Sequence, residues 1–115
     1  MNMKELSLDR RYDCYKSTIR YCSSASNACP DEEFFYIIRE KLCIDVYWVF
    51  SEISLDILLD NELITDEDMD RCLRIRDLYK EGEKQFFALD AEGIKTNDKW
   101  TSINSIADIL IQEHT

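Results

Sequence analysis

Cys43-Ile44-Asp45-Val46-Tyr47-Trp48-Val49-Phe50 is the stretch on which the fold class turns. Valine, tyrosine, tryptophan and phenylalanine all favour strands, so this segment alone would pass for a buried β-strand. Around and beyond it, Val46, Val49, Phe50, Ile53 and Ile57 recur at the spacing of one helix face. A half-buried strand would alternate with period two, and the pattern running through Ile57 does not. The segment therefore reads as helix, with a break or bend near Cys43 to Asp45 and Asp45 placed to cap the next helix.

The flanking sequence has the same period. Upstream, Phe34, Phe35, Ile37, Ile38 and Leu42 supply a wide apolar face, introduced by Pro30 and by Asp31, Glu32 and Glu33, which suit a helix N-terminus. Before them lies an uncharged tract rich in Ser and Asn, Cys22 to Pro30, which reads as a loop. Leu8, Tyr12, Tyr15, Ile19 and Cys22 trace an earlier helix face. Downstream, Asn61 to Ile64 reads as a turn, and Thr65 with Asp68 resembles a capping box carrying Asp in place of Glu. That helix should bury Met69, Cys72, Leu73 and Tyr79 and end near Gly82. Residues 85–96 admit either a short hairpin around Asp90 to Gly93 or a helix end with a packed loop. Trp100, Ile103, Ile106, Ala107, Leu110 and Ile111 form a final helix face. The expected architecture is one mainly α domain over residues 1–115, a bundle of about five helices.

Composition agrees. The chain has 115 residues, 2 Gly and 1 Pro, too few turn formers for a fold of many tight turns. Lys and Arg number 14 against 24 Asp and Glu, a net charge of −10 that leaves no basic excess for phosphate contacts. Direct nucleic-acid binding is not expected. No apolar run approaches the roughly 20 residues of a membrane span, and Met1-Asn2-Met3-Lys4-Glu5 turns charged too early for a leader. The expected compartment is the cytoplasm. Five cysteines (Cys14, Cys22, Cys29, Cys43, Cys72), an odd number without close pairs, read as reduced thiols rather than a disulfide framework. Cys22 or Cys29, in the loop tract, remains open as an accessible thiol.

Chemistry finds little footing in this sequence. His114 is its single histidine and lies one residue from the end, where chains commonly fray. No Cys-x-x-Cys or His-x-x-x-His pair suggests zinc. Asp66, Asp68 and Asp70 have calcium-loop spacing, but Arg71 stands where that loop needs Gly, and acids clustered at a helix start explain them more cheaply. Gly82 and Gly93 stand alone, so no phosphate cradle is present. The expectation is a protein that binds rather than catalyses, with no cofactor and no metal.

Charge distribution singles out one region. Asp56, Asp60, Glu62, Asp66, Glu67, Asp68 and Asp70 fall within fifteen residues without a single base. Residues 1–24 carry a net +2, which leaves −12 on the remainder. Capping and solvated faces account for part of the run but not for the missing bases, and concentrated negative charge steers basic partners. Among the aromatics, Phe34, Phe50, Phe86 and Trp100 read as core. Tyr36, Tyr47 and Trp48 are open. Tyr47 and Trp48 cannot both point the same way as Val46, Val49 and Phe50, so either one of them reaches the surface as a binding anchor or the helix is broad and buried on both sides.

The segment Trp100-Thr101-Ser102-Ile103-Asn104-Ser105-Ile106-Ala107-Asp108-Ile109-Leu110-Ile111 is similar to the tails of immunity proteins of contact-dependent growth inhibition, and the chain's small, acidic, helical character resembles theirs. That resemblance implies a protein that binds a cognate toxin domain, of nuclease type, and blocks its active site. A nuclease cleft is basic, and an acidic inhibitor can occupy it. The surface expected to do so comprises Asp56, Asp60, Glu62, Asp66, Glu67 and Asp70, with Tyr47 or Trp48 as apolar anchor. The partner is then a basic toxin domain, with no direct nucleic acid and no membrane. Two other classes fit the same charge: an acidic nucleic-acid mimic that inhibits a DNA-binding enzyme, and a non-inhibitory protein-interaction module.

Overall fold

The stretch 43–50 is helical up to Trp48 and turns at Val49 and Phe50. The computed structural model describes residues 6–114, so the stretch 1–5, which bears on the expected absence of a leader, lies outside the described residues. Seven α-helical segments succeed one another: α1 (Leu8–Cys22), α2 (Asp31–Tyr36), α3 (Leu42–Trp48), α4 (Glu52–Asp60), α5 (Asp66–Ala88), α6 (Ala91–Lys95) and α7 (Asp98–His114). A π-helical turn, Ile37–Lys41, joins α2 and α3 into one rod, so the described residues form six helices rather than about five.

That π-turn corrects the expected break near Asp45. The backbone never leaves the helical region there. Instead Leu42 N–H reaches back five residues to the Ile37 carbonyl. The wider turn keeps Phe34, Ile37, Ile38, Leu42 and Val46 all facing inward. It also offers the Ile38 carbonyl to the buried Tyr79 hydroxyl, which donates to it at 2.6 Å. Asp45 caps nothing. It pairs with Lys41 (3.3 Å) and accepts from the Trp48 indole N–H (3.3 Å). The chain breaks later, and Ser51 caps α4 by accepting from Ser54 N–H.

One further expectation is overturned and one open alternative is decided. The helix begun by Thr65 does not end near Gly82 but continues through Ala88. Gly82 is buried inside it, because a Cβ there would stand 2.6 Å from Phe86 Cζ. The glycine admits the Phe86 ring to the core rather than ending the helix. Residues 85–96 form no hairpin, and no strand occurs among the described residues. Phe86 is buried while Phe87 is exposed, and Asp90 caps the short α6 by accepting from Gly93 N–H at 2.7 Å, which buries Ala91 and Ile94. A capped turn of helix satisfies those amides locally, where a hairpin would need a partner strand.

The long α5 packs mainly against α7, and α7 also packs against α1. Trp100 of α7 sets its ring edge-on to Phe34 of α2 and Phe86 of α5, and each such burial contributes about 1.5–3 kcal/mol. The tract read as a loop forms a 3-10 turn, Ser24–Ala28, tied to α7 by polar bonds. Asn27 accepts from the Trp100 indole (2.8 Å) and donates to Asn104 (3.0 Å), which itself donates to the Cys22 carbonyl (2.8 Å). Cys22 is fully buried and its thiol is driven well above the ordinary value by that burial, so it is not an accessible thiol. Cys29 is half-buried, and all five cysteines are unpaired.

Candidate functional site

The acid run occupies one corner of the bundle, formed by α4, the turn after it and the first turns of α5. Asp56, Asp60, Glu62, Asp66, Glu67 and Asp70 all lie on this corner, each at least partly exposed. The corner is held by the way α4 ends. Leu63 N–H bonds to the Leu58 carbonyl and Glu62 N–H to that of Leu59, each at 3.0 Å, a paired closure that satisfies the last carbonyls of the helix. It requires left-handed backbone at one residue, and Glu62 adopts it with φ 61°. Ile64 is buried and anchors the turn to the core.

Helix physics accounts for only part of this charge. Asp66 and Glu67 lie in the first turn of α5, where the macrodipole favours anions. Asp60 lies in the last turn of α4, at the dipole's negative end, with no base to offset it. Glu62 holds a position that glycine fills at lower cost. Arg71 stands 3.9 Å from Glu67, whereas Asp56, Asp60, Glu62, Asp66 and Asp70 have no basic group within ion-pair distance among the described residues.

The seventh acid behaves differently. Asp68 is only 2% exposed and completes the expected capping box: its Oδ2 accepts from Thr65 N–H (3.0 Å), and its own N–H donates to Thr65 Oγ1 (3.1 Å). The same Oδ2 lies 3.1 Å from His114 Nε2 at the end of α7. His114 is not frayed. Tyr12 Oη lies 2.8 Å from its Nδ1, and Tyr15 Oη 3.3 Å from its Nε2, both from α1. Arg71 donates to Glu113 (3.1 Å) and stands 3.9 Å from Asp68 Oδ1. Burial works to raise the Asp68 carboxyl. The neighbouring Glu113 carboxyl, the Thr65 amide and His114 together outweigh burial and hold it below the ordinary value. Glu113 is raised in turn, first by the neighbouring Asp68 carboxylate. A shallow cleft of about 410 Å³ unites this network with the acid run, since Glu62 and Glu67 line it together with Tyr12, Asp68, Glu113 and His114.

All six acids are exposed on α4, the turn after it or the start of α5, and Glu62 and Glu67 share one cleft, whereas Tyr47 lies elsewhere. Its ring lies edge-on to Tyr79 and its hydroxyl donates to Glu83 at 3.2 Å, roughly 20 Å along α5 from Asp70. Burial, reinforced by Glu83, pushes its phenol up to about 12. Trp48 is half-buried in a separate cleft with Arg10, Asp13, Cys14 and Lys41. The most exposed aromatics are others: Tyr36 at 54% and Phe87 at 48%, on a cleft they share with Glu32, Phe35, Arg39 and Glu40. Each follows or precedes another aromatic or apolar residue of the core face, the same adjacency that marked Tyr47 and Trp48.

Glu113, His114, Tyr12 and the burial of Asp68 escaped the sequence reading. The available signal was that His114 lies one helical turn beyond Leu110 on the buried face of α7. None of the described helices is long and apolar enough to cross a membrane. Compared with known protein families, curated proteins and solved structures, the chain matches none of them.

Proposed function

We propose that this chain is an immunity-type inhibitor: it acts in the cytoplasm, binds a basic toxin domain of nuclease type, and blocks its active site with the acidic corner. It carries out no reaction of its own. The observation behind this reading is the exposed, largely unneutralised charge at α4–α5, above all Asp60 and Glu62, which occupy positions that helix and turn energetics disfavour. Acids kept at such positions, without bases beside them, are suited to a partner that supplies the positive charge. Packed at one corner of a body 39 × 29 × 23 Å in extent, they match a single basic cleft better than the extended phosphate line a nucleic-acid mimic must reproduce.

The test is capture of exported effectors from the source cells, followed by kinetics with the retained domain. Recovery of one basic C-terminal domain whose toxicity the chain suppresses is the expected result. Several unrelated DNA-binding enzymes would instead favour the mimic, and failure to suppress any toxin would refute inhibition. With the partner in hand, Asp60→Lys with Asp66→Lys should slow association and flatten its salt dependence. Unchanged kinetics would remove the acidic corner from the interface.

A further inference from the structure

We propose that Asp68, Glu113 and His114 form a binding site for one divalent transition-metal ion, zinc being the best fit to the donor set. One ligand atom from each of the three residues lies within 4.8 Å of the others, although residue 68 is more than forty positions from the other two. His114 Nε2 and Asp68 Oδ2 are 3.1 Å apart. Two ligands on a tetrahedral ion at about 2.0–2.1 Å stand about 3.3 Å from each other, so this pair needs almost no adjustment.

An independent observation points to a cation at the same place. Asp68 is 2% exposed, and its Oδ1 has no hydrogen-bond partner. Arg71 Nη1, at 3.9 Å, is beyond hydrogen-bond reach. A buried carboxylate oxygen without a donor is costly, and an ion held by both Asp68 oxygens would satisfy it. The surroundings suit one. Tyr12 Oη, 2.8 Å from Nδ1, is positioned to accept the ring proton there, which leaves Nε2 with its lone pair as the ligand atom. Glu113 is 41% exposed in its side chain and can turn from Arg71 to the ion. Two carboxylates with one imidazole suit zinc, cobalt or manganese, whereas copper(I) prefers sulfur and magnesium gives up its waters reluctantly. The ion would tie the start of α5 to the end of α7, with α1 behind them through Tyr12.

The test uses the full, untagged chain stripped with chelator, with zinc and cobalt chloride as probes. Expected are one ion per chain by equilibrium dialysis, a rise in Tm with added zinc, and cobalt d–d absorption without a thiolate charge-transfer band. Glu113→Gln, at an exposed position that leaves the fold intact, should weaken affinity roughly ten- to hundredfold, and His114→Gln at least as much. Serine at Cys14, Cys29 and Cys43 should change nothing. No uptake at about 100 µM free zinc, far above any specific site's range, overturns the proposal. So does a thiolate band, or binding indifferent to Glu113→Gln, since either places the ion elsewhere.

Discussion

Glu62→Gly should make the protein more stable, although it deletes a side chain and inserts the most flexible residue. Glu62 is the sole non-glycine residue with positive φ among those described. Left-handed backbone costs a residue with a Cβ about 1–2 kcal/mol, which glycine avoids. Glycine returns about 0.5–1 kcal/mol of that through its freer unfolded chain. The net gain is then roughly 0.5–1 kcal/mol, or about 2–5 °C in Tm for a domain of this size. Glu62→Ala is the control, because it removes the same charge while keeping the Cβ and the strained backbone. Urea and thermal unfolding of both variants, fitted with a common m-value, isolate the backbone contribution. If the glycine variant is no more stable than the alanine variant, the assignment of strain to Glu62 is wrong. The pair also bears on function. Under the proposed function both variants should associate more slowly with the basic partner domain, so that the more stable protein would be the poorer binder.

Other consequences come from particular contacts. Gly82→Ala should destabilise by about 1–3 kcal/mol, despite alanine's helix propensity, since the new Cβ would displace Phe86 from Trp100; a stability gain in chemical denaturation would contradict that packing. Cys22 and Cys72 are fully buried, and burial pushes the Cys72 thiol up to about 12, so a thiol reagent should label at most Cys14, Cys29 and Cys43 before unfolding. Labelling of all five on the native protein would refute it. Asp68, facing Arg71, Glu113 and His114, is depressed in the folded state, so its stabilisation is complete above the ordinary carboxylate value. It is lost as pH falls through the lower folded one. In chelator-treated protein, Asp68→Asn should therefore flatten the acid limb of the stability–pH curve; an unaltered limb would show that other carboxylates set it.

Much of the fold was legible because helical period and caps are local. Val46, Val49 and Phe50 are buried and the segment is helix as the spacing implied. The period does not run on through Ile57, because α3 ends at Trp48, Ser51 caps a new helix and Ile53 is exposed. Thr65 and Asp68 announced the cap that begins α5, and the face from Trp100 to Leu110 announced α7. Where local signals were ambiguous, packing decided. Gly82 reads as a terminator in sequence but is a gap for the Phe86 ring, and Asp45 reads as a cap but lies within a helix kept continuous by a π-turn. Phe86 and Phe87 satisfy a strand and a helix equally until the core shows that one of them is inside.

The accumulation of charge could be read from the sequence, since the six exposed acids fall within fifteen residues. The cluster of Asp68, Glu113, His114 and Tyr12 could not. Its members come from α1, α5 and α7, and no periodicity relates residues so far apart in the chain. Their meeting depends on the angle at which α7 crosses α5 and on the burial of its last turn. Sequence therefore determined which helices form and where the charge accumulates, because both depend on neighbouring residues. Only the tertiary structure decided which side chains face one another across those helices, because that is set by how the whole core packs.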